Sequence, residues 1–76
     1  MNNTRRKSLK KLIGQLEDLK DSLQEMLEEE EEYRDNIPEN LQNSEKYEIA
    51  EQAADSLATA VDDIEDALSC IEEAIG

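Results

Sequence analysis

Residues 46–75 read KYEIAEQAADSLATAVDDIEDALSCIEEAI. Within this stretch Tyr47, Ala50, Ala54, Leu57, Val61, Ile64, Leu68, Ile71 and Ile75 follow one another at alternating steps of three and four. Such steps keep every member on one side of an α-helix. Ala53, Ala60, Ala67 and Ala74 form a second stripe, repeating every seven residues beside the first. The spacing predicts one long helix, about residues 44–75, with two contact faces.

The same frame runs through the first half of the chain. Leu9, Leu12, Leu16, Leu19, Leu23 and Met26 keep the three–four step, and its continuation reaches Glu30, Tyr33 and Ile37. Ile13 and Leu27 widen the stripe. A first helix over about residues 4–35 is expected, capped by Thr4 or Ser8. Gly14 falls opposite the seam and costs about 1 kcal/mol relative to alanine. Pro38 disfavours helical geometry at Ile37. The break is therefore placed at residues 36–43. Asn36 and Glu39 have the spacing of a capping box, which predicts a short turn over 38–42. Asn43 or Ser44 then caps the second helix.

Two long helices and a short connection make a single all-α domain over residues 1–76, a coiled-coil-like antiparallel helical hairpin. If facing residues sum to 80, Leu9 meets Ile71, Leu12 meets Leu68, Leu16 meets Ile64 and Leu19 meets Val61. Leu23 then meets Leu57, Met26 fills the gap left by Ala54, Glu30 faces Ala50, and Tyr33 packs on Tyr47. A hairpin of this size buries one stripe per helix and is marginal alone. The stripe Ala53, Ala60, Ala67 and Ala74, with Ile13, Leu27 and Ile49 beside it, remains for a second contact. Its simplest use is a homodimer, closing a four-helix bundle. Its rival use is a groove for a partner helix.

Charge divides the chain. Net charge is −13, with 21 acids against 8 bases. Arg5, Arg6, Lys7, Lys10 and Lys11 lie in the first sixteen residues, which hold no acid. The hairpin brings them beside Asp62, Asp66, Glu72 and Glu73, so mutual neutralisation is expected rather than a nucleic-acid arm. Residues 17–55 hold fifteen acids against Lys20, Arg34 and Lys46. Glu28, Glu29, Glu30, Glu31, Glu32, Asp35, Glu39, Glu48, Glu51 and Asp55 are the candidate partner-binding residues. Carboxylates fixed along a rod imitate the phosphates of nucleic acid and attract a basic protein. A solvated face that keeps a small protein soluble is the alternative. Such a surface repels nucleic acid and anionic membranes.

Enzymatic chemistry finds little support. Histidine and tryptophan are absent, and Cys70 is the one cysteine. That removes His-based catalysis and any intrachain disulfide, and the lone thiol fits a reducing compartment. Cys70 sits among acids, not beside the cations that activate a thiol. Glu28–Glu32 lie on a helix and point in several directions, whereas a calcium loop converges its oxygens. The expectation is no catalytic site, no metal and no cofactor. With no apolar run long enough for a membrane span or a secretion signal, a cytoplasmic protein is expected.

The connection Tyr33-Arg34-Asp35-Asn36-Ile37-Pro38-Glu39-Asn40-Leu41-Gln42-Asn43-Ser44-Glu45 resembles that of small acidic two-helix proteins of Gram-positive phages and mobile elements, roughly D-N-[IL]-P-E-x-[LI]-Q-x-S-E. Their acidic repeat, of the type E-A-I-D-x-[LI]-E-x-A-I, has its counterpart in Val61-Asp62-Asp63-Ile64-Glu65-Asp66-Ala67-Leu68. The resemblance covers about half of the chain and carries no assigned activity. It implies a phage or mobile-element origin, action in the host-cell cytoplasm, and inhibition of a host defence or nucleic-acid-binding protein. A structural adaptor for partner helices is the other reading.

Overall fold

Asn2 starts the first helix. Its side-chain oxygen accepts the Arg5 backbone N–H at 2.7 Å, and α1 runs from Asn3 to Asp35. A computed structural model describes all 76 residues. Thr4 and Ser8, the caps expected from sequence, both lie inside α1. The Ser8 hydroxyl donates to the Thr4 carbonyl at 3.2 Å instead. Asparagine caps as well as serine, and starting at Asn2 adds residues to the helix.

α1 ends at Asn36, whose backbone N–H donates to the Glu32 carbonyl at 3.0 Å. This role replaces the expected capping box. Pro38 has an extended ψ of 145°, so the following 3-10 turn, Glu39–Leu41, begins behind Pro38 without a side-chain cap. The Leu41 and Gln42 N–H groups close this turn on the Pro38 and Glu39 carbonyls. Ser44 then caps the second helix, accepting the Tyr47 N–H at 3.3 Å and donating its hydroxyl to the Leu41 carbonyl. α2 spans Glu45–Ile75, with Glu45 and Glu48 in its first turn, where the helix dipole favours acids. Gly76 closes it at a positive φ of 94°, its N–H on the Glu72 carbonyl.

The two helices pack antiparallel into a rod of 59 × 15 × 12 Å. Arg6 ties the open end, its Nε donating to the Ile75 carbonyl at 3.2 Å. The last turn of α2 has no basic residue of its own, so the cation comes from α1.

On α2 the seam is the one the spacing predicted. Ala50, Ala54, Val61 and Leu68 are buried, and Tyr47, Leu57, Ile64, Ile71 and Ile75 are half-buried. On α1 the seam is turned by roughly 50° from the expected frame, at 100° per residue. Leu9, Leu16, Leu23 and Glu30 stay on it, joined by Ile13, Lys20, Leu27 and Arg34. Leu12, Leu19, Met26 and Tyr33, placed in the core from sequence, are 47%, 58%, 56% and 47% exposed. Leu27, not Met26, occupies the level of Ala54. Tyr33 carries the Lys46 ammonium 5.6 Å from its ring centroid.

Two half-buried cations share the rotated seam. The Lys20 head reaches Glu65 of α2 at 3.9 Å, whereas the Arg34 head pairs with Asp35 of its own helix at 3.0 Å. The long stems of both suit a position beside an apolar seam. Ile37 is buried and plugs the loop end, while Leu41 stays exposed.

The rotated seam sets opposite outcomes for neighbouring positions. Leu27→Ala is expected to lower the unfolding free energy by about 2–4 kcal/mol through cavity formation. Lys20→Leu is expected to raise it by about 1 kcal/mol, since an apolar side chain fits the site without desolvating a charge. Thermal melts followed by circular dichroism check both. A Cβ at Gly14 meets nothing within 4 Å. Gly14→Ala should therefore add about 0.5–1 kcal/mol in the same melts.

Candidate functional site

Two surfaces stand out, an acidic loop half and an apolar flank. The acidic half is built from the last turns of α1, the 3-10 turn and the first turns of α2. Glu28, Glu29, Glu32, Asp35, Glu39, Glu48, Glu51 and Asp55 are exposed, while Glu30 and Glu31 are half-buried. Five successive glutamates occupy every direction around α1, because successive helical residues diverge by about 100°. They coat the rod and do not converge on one point. No group of three or more His, Cys, Asp or Glu side chains is placed to hold a metal ion.

Few cations compensate this charge. Of the three bases of residues 17–55, Lys20 pairs with Glu65 and Lys46 lies over Tyr33, while Arg34 stays within the acidic half, paired with Asp35 and within the field of Glu31. The Asp35 hydrogen bond pushes the Arg34 pKa further above its ordinary value, so Arg34 stays charged. Gln24 alone donates to the run, from Nε2 to a Glu28 oxygen at 3.5 Å. Glu32, the last of the run, stands in the final turn of α1, where the dipole disfavours anions. At the other end of the rod no ion pair within 4 Å joins Arg5–Lys11 to the acids of α2. The direct pairing expected of these cations is not formed; Arg6 instead donates to the Ile75 carbonyl.

The apolar flank combines both helices. Leu12, Leu19, Met26 and Tyr33 repeat every seven residues along α1. On α2 the same flank holds Ala53 and Ala60, half-buried, with Ala67 and Ala74 exposed. Ile49 is 59% exposed. An open pocket of about 310 Å³ joins the two helices on this flank, lined by Glu30, Tyr33, Glu45, Lys46, Ile49 and Ala50. The small side chain of Ala50 opposite Glu30 leaves this space. Ile13 and Leu27, expected beside the alanines, lie in the hairpin's own seam instead. The four α1 residues that replace them were missed because they outnumber Ile13 and Leu27 as apolar members. A signal existed: Lys20 and Arg34 share the spacing of Ile13 and Leu27, and their long stems suit a narrow seam beside acids.

The exposed Cys70 thiol lies some twenty helical residues from the pocket, a separation of about 30 Å at 1.5 Å per residue. No helix is long and apolar enough to cross a membrane. Compared with known proteins, the chain matches no protein-family model, no curated protein and no solved structure.

The strain in the glutamate run is measurable. Glu32→Lys is expected to raise Tm by a few degrees at low salt, because it adds a cation at a helix C-terminus and relieves repulsion. The gain should shrink as salt rises, read by thermal melts across a salt series.

Proposed function

We propose that this protein is a non-enzymatic, phage-type accessory protein that binds and inhibits a basic host protein of defence or nucleic-acid metabolism. The acidic loop half acts as a nucleic-acid-like decoy, and the hairpin works as a homodimer in a four-helix bundle. One observation carries this reading. Glu28–Glu32 are five successive carboxylates that repel one another, with no ion pair to any of the five, and Glu32 also stands in the last turn of α1, where the dipole disfavours anions. Acids needed only for solubility are better tolerated elsewhere on the rod, so the run has the character of a binding surface.

The exposed apolar flank supports a second reading, an adaptor that takes a partner helix along the alanine stripe. Salt separates the two. A decoy engaging six or more cationic groups should weaken by roughly a thousandfold between about 50 and 200 mM salt, as protein–phosphate contacts do. Capture from host lysate at the two salt concentrations, with mass spectrometry, supplies the target. Duplex DNA should compete for it, and replacing Glu28–Glu32 by glutamine should abolish binding. A target indifferent to salt and DNA, yet lost in Ala60→Leu, would overturn the decoy in favour of the adaptor.

A further inference from the structure

We infer that the apolar flank of Leu12, Leu19, Met26 and Tyr33 is covered by a second copy of this chain, running antiparallel, with a two-fold axis at the level of Ser22. This inference rests on the dimeric reading above and adds its face, its direction and its register. The single hairpin exposes 5690 Å². A compact monomer of 8.7 kDa would expose about 4,700 Å² by the usual surface scaling, so this rod presents an excess of about 1,000 Å². The flank from Leu12 to Tyr33 is about 32 Å long at 1.5 Å per residue. Two helices 8–10 Å apart make it roughly 18 Å wide. Covering it buries on the order of 600 Å² per copy, or 1,200 Å² in total, the lower bound of a specific interface.

Charge chooses the direction. Two hairpins stacked on this flank in parallel would set both acidic loop halves side by side, each near −12. Antiparallel stacking moves the two acidic halves apart and, in the register derived below, brings Lys10 of one copy level with Asp35 of the other. It also places α1 on the partner's α1 and α2 on the partner's α2, a self-complementary contact.

The register follows from the stripe itself. The midpoint of Leu12 and Tyr33 lies between residues 22 and 23, as does the midpoint of Leu19 and Met26. A two-fold axis there brings Leu19 of each copy to Met26 of the other. It also brings Leu12 to the level of Tyr33, at the mouth of the pocket formed with Ile49 and Ala50. A cavity next to an exposed leucine stripe is thereby filled by a leucine of that same stripe.

The test uses sedimentation and a cysteine cross-link in the full chain. The wild-type protein should sediment at twice the 8.7 kDa of the chain. Leu19→Asp should weaken association by on the order of tenfold or more, since the interface would bury an unpaired carboxylate. Leu19 projects from the hairpin, so helicity should persist. Should that variant unfold, the cross-link decides. Ser22 is exposed on the same flank between Leu19 and Met26. In a Cys70→Ser background, Ser22→Cys should give a covalent dimer with oxidised glutathione. In a parallel bundle the two positions lie across the diagonal, about 13 Å apart for adjacent helices 8–10 Å apart, too far for a disulfide. A dimer that fails to cross-link overturns the arrangement and leaves dimerisation standing. A monomer at high concentration overturns both.

Discussion

One apolar seam between two helices sets the terms for everything else in this molecule. Two helices have only one line of mutual contact, and here it buries six residues, counting Ile37 of the connection. α2 supplies the small members Ala50 and Ala54 near the loop and the larger Val61 and Leu68 further along. The seam is narrow near the loop and is filled from the α1 side by Leu27. A thin core cannot tolerate competing charges inside it, and no polar or charged residue is buried. Lys20 and Arg34 comply by covering the seam with methylenes and sending their charge outward. Side-chain caps at Asn2 and Ser44 supplement the packing with local hydrogen bonds, which matters more when packing is scarce.

Electrostatics then shapes the two ends differently. At the open end, the α1 cations stand near the negative terminus of α2, and Arg6 makes that relation a direct hydrogen bond. At the loop end, Glu45 and Glu48 suit the N-terminus of α2, but Glu32 stands in the last turn of α1 with Glu28–Glu31 crowding like charge behind it. The asymmetry is therefore specific to one helix. It costs stability where the seam is already narrow and where Ala50 leaves an open pocket.

The hairpin, its break and the α2 seam were legible in the sequence, because nine positions of one helix agree on one period. The 3-10 turn and Ser44 cap were legible for a local reason: Pro38 and serine chemistry act over three or four residues. The rotation of α1 was not. That helix carries leucines in three adjacent columns, so periodicity allows two frames that share Leu9, Leu16 and Leu23. Counting apolar residues favours Leu12, Leu19, Met26 and Tyr33 over Ile13 and Leu27. Lys20 and Arg34 share the column of Ile13 and Leu27 and are half-buried with it, yet pattern counting scores their long apolar stems as polar. The candidate acidic surface was readable as composition, and its place near the end of α1 was readable too, since the first helix was expected to end at residue 35.

The same rotation that misled the pattern gives it meaning. A helix that needs one face only has no use for a second column of large apolar side chains at heptad spacing. α1 keeps one column for α2 and presents the other beside the α2 alanines, on a single flank of the rod. Self-association there would consume the apolar surface and leave the acids free. An antiparallel pair would carry the two glutamate runs at opposite poles, where their repulsion is screened over several Debye lengths of about 8 Å. Each pole would then be open to its own basic target, and two such poles on one rigid body would act together on a dimeric or repetitive partner. On this view the apolar flank and the acidic end serve one function. Under the proposed function the flank would set the distance between binding ends, and the acids would do the binding.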